Sequence, residues 1–168
     1  MSISLARHAR ALRFAALAAG GLYVVATIAA VLSLHGWGGR FVAATLEAGD
    51  MPTGWAAIAA VGIAVLIFAA LLELARMLAH VGRERVFPPE ATRHFRRFAL
   101  LFLLASVVRT LAPALVMAAR SVADGSGALR MTFDGGDFVT LVVAALFWLV
   151  ARLLDEAARL EDDSRSIV

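Results

Sequence analysis

Residues 77–98 read MLAHVGRERVFPPEATRHFRRF and carry the densest charge of the sequence, between two long apolar blocks. The block before them contains the 18 uncharged residues 55–72, and the block after them begins at Phe98. Such a run covers about 27 Å as a helix, close to the roughly 30 Å of a bilayer's hydrocarbon core. The stretch therefore predicts a polar hairpin between two membrane-spanning helices.

The composition of the whole chain agrees with a membrane protein. Of its 168 residues 61% are hydrophobic and 17% are charged, which is too apolar for a water-soluble surface. The apolar runs show no alternation of period two, so an outer-membrane barrel is excluded and helices are the remaining way to satisfy the backbone in lipid. The chain has no cysteine, which excludes disulfides, thiolate metal sites and a cysteine nucleophile.

Four apolar runs predict an all-α, integral membrane four-helix bundle that forms a single domain over residues 1–168. The fourth run is the shortest, because its uncharged part, residues 138–151, becomes long enough to span only if Arg152 snorkels. Three arginines before the first run also fit a signal peptide, but the run is too long and lacks a clear cleavage boundary. The predicted spans are residues 14–34, 55–79, 96–119 and 138–154.

The arginines predict the orientation of the bundle. All 16 basic residues are arginine, and twelve of them fall at the termini or around the hairpin, against three in the other two loops. By the positive-inside rule both termini, the hairpin of residues 80–95 and the tail of residues 155–168 are cytoplasmic, in a multi-pass protein of the inner membrane. The net charge of +3 then reflects this bias, and no direct nucleic acid binding is expected. The lipid bilayer is the expected partner, and a homo-oligomer is compatible with the sequence.

Arg109 is the sharpest polar feature, because a guanidinium inside a span marks a function or a partner. Pro113 cannot donate to the Arg109 carbonyl, so a kink is expected there. Arg109 could form a ligand site, snorkel outward, or pair with Asp134 or Asp137. Glu73 is a candidate counter-ion, although its place near the cytoplasmic end of its span favours Arg76 or another interfacial arginine. The candidate intramembrane polar site comprises Arg109, Pro113, Ser106, Thr110 and Glu73.

The sequence contains no recognisable catalytic or cofactor motif. The four histidines, at positions 8, 35, 80 and 94, lie at helix ends or in loops, so no bis-histidine haem pair is available at membrane depth. A metal site from His80 and His94 is conceivable, but interfacial polar roles are favoured. The glycine clusters lack the lysine and the strand that phosphate-binding loops need. We therefore expect no enzyme, no cofactor and no metal.

Two short motifs resemble the DUF2975 family of small bacterial four-span membrane proteins. Residues 82–87, GRERVF, precede a polar helix start and a basic opening of the third span at Arg96 and Arg97. The tail, ARLEDDSRSIV over residues 158–168, is similar to the acidic, valine-ending terminus of the family. The chain has Pro88 where the family commonly has a serine or threonine cap, and a proline can still begin a helix.

The resemblance implies an association with small helix-turn-helix transcription regulators, which are often encoded beside members of the family. This predicts a non-enzymatic membrane protein with a cytoplasmic docking surface on the hairpin and the tail. An alternative from another class is a small transporter or ligand sensor with a polar site around Arg109. The candidate docking residues are Arg83, Arg85, Arg93, Arg96 and Arg97.

Overall fold

The computed structural model describes residues 3–34, 52–80, 89–123 and 135–166, and these ranges contain four α-helices and no strand. All four helices are long and apolar enough to cross a membrane. The prediction of an all-α bundle with four apolar helices is thereby confirmed. The helices are α1 (Ile3–Leu34), α2 (Thr53–His80), α3 (Pro89–Ala123) and α4 (Gly135–Ser166).

The helices run further than the apolar spans that the sequence predicts. The third helix begins at Pro89, because a proline at the first helical position loses no hydrogen bond, and Glu90 beside it suits the positive end of the helix dipole. Residues 89–95 of the predicted hairpin are therefore the first turns of α3. The fourth helix continues to Ser166, and the Arg152 guanidinium lies over the Trp148 ring, 5.4 Å from its centroid.

Each helix packs against its neighbours in sequence. Contacts join α1 to α2, α2 to α3 and α3 to α4, whereas within the described ranges α1 and α4 do not touch. The bundle is thus open between its first and last helix. The pairs Arg96–Asp155 and Arg109–Asp137 show that α3 and α4 run in opposite directions. Glu73 meets His94 while Ala70, earlier in α2, packs with Phe98, later in α3, so these two helices are antiparallel as well.

Small residues form most of the buried interior. Ala99, Ala144 and Ala151 are completely buried, and Gly20 on α1 lies directly against Phe68 and Leu71 of α2. Small side chains let helix backbones approach closely, which is the usual way that helices associate in lipid. Between α3 and α4 the packing is aromatic, since Phe147 meets the ring edges of Phe98 and Phe102. The outward faces carry exposed leucine, valine and phenylalanine, as a lipid-facing surface requires.

One end of the bundle is much more charged than the other. A chain that crosses a membrane four times alternates in direction, so α1 begins, α2 ends, α3 begins and α4 ends on the same side. At this side each helix continues beyond its uncharged stretch, and we call it the charged end. Its arginines in the described helices include Arg10, Arg13, Arg76, Arg93, Arg96, Arg97, Arg152 and Arg159.

Candidate functional site

A buried carboxylate lies at the charged end, between α2 and α3. The Glu73 residue is only 8% exposed, and its two carboxylate oxygens face different partners. Arg76 donates from Nη1 to Oε1 at 2.7 Å, and His94 Nδ1 lies 2.6 Å from Oε2. Both oxygens are therefore hydrogen-bonded, which offsets the cost of burying the carboxylate. The contact with His94 ties the end of α2 to the beginning of α3.

The local sequence explains how these groups meet. Glu73 and Arg76 are three residues apart, so they lie on neighbouring positions of one helix surface. His94 is five residues into α3, and Glu73 is seven residues before the end of α2. In an antiparallel pair of helices, residues at similar distances from the connecting hairpin lie at nearly the same level along the helix axes. Charged residues that sit just past an apolar span thus meet across the hairpin.

A second ion pair at the charged end joins α3 to α4. Arg96 donates from Nη1 to Asp155 Oδ2 at 3.0 Å, and both side chains are partly exposed. Arg93 and Arg97 lie one turn apart on the same helix and are exposed. Neither forms an ion pair with any residue that the structure describes. The arginines of the predicted docking surface therefore differ in their surroundings.

Arg109 lies far from the charged end and also pairs with α4. Its Nε donates to Asp137 Oδ1 at 2.8 Å, while the Arg109 side chain remains 57% exposed. Arg109 follows Arg96 by 13 residues, which is about 20 Å along the helix axis. The structure therefore places Arg109 with Asp137, one of the two outer carboxylates that the sequence offered as partners. Asp134, the other, lies outside the described residues.

The hydroxyls near Arg109 bond to the backbone of their own helix. The Ser106 hydroxyl donates to the Phe102 carbonyl at 2.9 Å, and the Thr110 hydroxyl donates to the Ser106 carbonyl at 3.0 Å. Pro113 lies inside α3, which continues beyond it to Ala123. The two hydroxyls accordingly bond within α3 itself, whereas Pro113 adds no backbone hydrogen bond because it has no N–H.

The five residues of the predicted intramembrane site do not form one group. Glu73 bonds to His94, which precedes Arg109 by 15 residues, or about 22 Å of helix. Glu73 therefore lies at the charged end, apart from Arg109, and bonds to Arg76, the partner that the sequence favoured for it. His94 was missing from the predicted site; the sequence places it and Glu73 at similar distances from the hairpin but does not show which sides of the two helices face each other.

Several candidate residues lie outside the described part of the chain. Arg83 and Arg85 of the predicted docking surface are among them, as is His35. The side chains of His8 and His80 are also not described. Among the described residues no three histidine, cysteine, aspartate or glutamate side chains are grouped so that they could hold a metal ion.

The family model of DUF2975, a protein of unknown function, matches residues 4–168 of the chain. The chain belongs to the DUF2975 family. The resemblance to DUF2975 that the hairpin and the tail indicated is thereby confirmed over essentially the whole chain. No curated protein and no solved structure matches this DUF2975 member. Its activity therefore has to be argued from the charged end and from the pairs that join the helices.

Proposed function

We propose that this DUF2975 protein is a non-enzymatic protein of the inner membrane whose charged end faces the cytoplasm and binds a cytoplasmic protein. The orientation is supported by the arginines, because ten of the twelve in the described helices lie at the charged end and Arg120 lies near the opposite end. Arg109 lies between the two ends. This orientation makes the charged end the part of the molecule that a cytoplasmic partner can reach.

One observation carries the proposed contact with a protein. The fourth helix continues for 11 residues beyond Asp155, which is about 16 Å of helix past its ion pair with α3. In this extension Glu156, Arg159 and Leu160 are all exposed. An exposed leucine outside the uncharged stretch, between charges of both signs, is the kind of surface that another protein helix can cover. Nucleic acid would instead favour a uniformly basic surface.

The described arginines of the predicted docking surface are less suited to a protein partner. Arg96 is already bonded to Asp155, and Arg93 and Arg97 lie at the level of the predicted membrane interface. We therefore propose the exposed side chains Glu156, Arg159 and Leu160 of the α4 extension as the docking surface. The resemblance to DUF2975 suggests a small helix-turn-helix regulator as the partner.

The first step is to search the gene neighbourhood for a small helix-turn-helix protein, and binding is then tested between that protein and the purified full-length chain. The variant Arg159→Glu/Leu160→Gln changes the extension, and Arg10→Glu/Leu12→Gln makes the same changes in exposed residues of α1 at the same end. We expect the α4 variant to weaken binding at least about tenfold, because central anchors dominate such interfaces. The α1 variant should bind like the wild type.

Two results would contradict this proposal. One is a wild-type protein that does not bind the encoded regulator, and the other is an equal effect of the α1 and α4 variants. Orientation is tested separately, and the absence of cysteine makes the chain a ready background for labelling. In intact spheroplasts, a membrane-impermeant maleimide should label Arg120→Cys and spare Glu156→Cys. The reverse pattern would place the charged end outside.

A further inference from the structure

We propose that the outward face of α3 at the charged end binds an anionic phospholipid, with Arg93 and Arg97 holding the headgroup phosphate. This inference goes beyond the proposed protein contact and uses different residues. It starts from the spacing of the two arginines, which are four residues apart and therefore point to the same side of the helix. Both are exposed, and neither has an ion-pair partner among the described residues.

The neighbouring charges show why these two arginines remain available. Arg96 lies on a different side of α3 and is bonded to Asp155 of α4. Glu90, one turn before Arg93, is exposed and forms no ion pair with it. Two guanidinium groups one turn apart can each offer a pair of N–H donors to phosphate oxygens. The charge of the site is thus complementary to an anion.

The apolar part of the same face identifies the anion as a lipid. Leu100 follows Arg97 by three residues and Leu104 follows it by seven, so both lie on the side of α3 that carries the arginines, and both are exposed. They lie within about 11 Å of Arg97 along the helix, inside the leaflet that begins at the arginines. A phospholipid whose phosphate contacts Arg93 and Arg97 can therefore lay an acyl chain along these leucines. A soluble protein would have to enter the bilayer to cover the same stripe.

Net charge decides which phospholipid is favoured. Phosphatidylcholine carries a compensating positive group, whereas phosphatidylglycerol brings an uncompensated phosphate to the two arginines. One arginine near an anionic membrane surface strengthens the attraction enough to raise the binding constant about fivefold. We therefore expect the site to prefer phosphatidylglycerol over phosphatidylcholine at least about tenfold.

The test counts lipids that remain on the purified full-length protein in native mass spectrometry, after exchange with defined phosphatidylglycerol or phosphatidylcholine. Arg93→Gln/Arg97→Gln should reduce the preference for phosphatidylglycerol about tenfold or more. The control variant Arg10→Gln/Arg13→Gln removes the same charge from exposed residues of α1 at the same end. This variant should keep the preference for phosphatidylglycerol. Leu100→Ala/Leu104→Ala should lower retention of both lipids and leave the binding of glycerol phosphate unchanged.

The proposal would be overturned if the α1 and α3 arginine variants lost the preference for phosphatidylglycerol equally. Such a result would show only a general attraction of anionic lipids to the charged end. A wild-type protein without preference for phosphatidylglycerol would overturn it as well, whether or not the variants fold. Circular dichroism checks the helix content of each variant. The Arg93→Gln/Arg97→Gln variant should still bind the regulator if the α4 extension is the docking surface, so the two proposals can fail separately.

Discussion

Replacing Glu73 by alanine should loosen the charged end, and His94 should account for most of the effect. The Glu73 carboxylate bonds to His94, whose side chain is 19% exposed, and to Arg76, whose side chain is 52% exposed. Hydrogen bonds of a charged group contribute about 1.5–3 kcal/mol when they are shielded from water. A pair that is half exposed contributes about 0–1 kcal/mol because solvent screens it. Glu73→Ala should therefore cost about 1.5–4 kcal/mol.

The two contributions are separated by double-mutant cycles. The coupling between Glu73→Ala and His94→Ala should be about 1.5–3 kcal/mol, whereas the coupling between Glu73→Ala and Arg76→Ala should stay below about 1 kcal/mol. The cycle also subtracts the packing energy that His94→Ala loses independently of Glu73. Glu156→Ala, which truncates an exposed glutamate at the same end, serves as the control and should change stability by less than about 0.5 kcal/mol.

Stability is measured by unfolding the purified protein in mixed micelles with increasing dodecyl sulfate, followed by the far-ultraviolet circular dichroism of its helices. The reasoning is refuted if Arg76 couples to Glu73 more strongly than His94 does. It is also refuted if Glu73→Ala is as harmless as Glu156→Ala. Either result would mean that the contact between Glu73 and His94 contributes little to the joining of α2 and α3.

Two further predictions concern the other helix contacts and use the same unfolding measurement. A Cβ atom at Gly20 would lie 3.2 Å from Phe68 Cδ2, so Gly20→Leu should cost about 1–3 kcal/mol, while Gly21→Leu, with no atom within 4 Å of its Cβ position, should be nearly neutral. Equal effects at the two glycines would argue against close packing of α1 on α2. Arg109→Leu and Asp137→Leu should each cost about 1–3 kcal/mol, discounted for the exposure of Arg109, because each leaves an uncompensated charge in the membrane. The double variant should return to within about 0.5 kcal/mol of the wild type, since its two costs are not additive; a double variant that loses the sum of the single effects would contradict a structural pair.

The features of the fold that follow from local chemistry could be predicted from the sequence. Long uncharged runs define the four helices, and the proline pair predicts the beginning of α3 at Pro89. The opening between α1 and α4 could not be predicted in this way. It depends on which faces of α2 and α3 pack against another helix. Alanine is so frequent on all four helices that the sequence does not distinguish a packing face from the others.

The candidate site was harder to predict because side-chain pairs depend on register. An error of one residue rotates a helical side chain by about 100°, so Glu73 could be placed near the end of its span but not opposite His94. The difference between Arg96 and its neighbours follows from spacing, since Arg93 and Arg97 share a side of α3. That Asp155 would lie opposite Arg96 required the position of α4, which no local pattern contains.

The short uncharged stretch of α4 makes the bundle uneven in hydrophobic thickness. Residues 138–151 cover about 21 Å, from the depth of the Arg109–Asp137 pair toward the charged end, whereas residues 53–72 of α2 cover about 30 Å. The uncharged stretch of α4 is thus about 9 Å shorter, and a bilayer accommodates a short helix by local thinning, while Arg152 can extend its charged group toward the headgroups. We therefore expect the bilayer to be thinner beside α4 than beside α2, because shorter or more disordered acyl chains fit the shorter apolar flank.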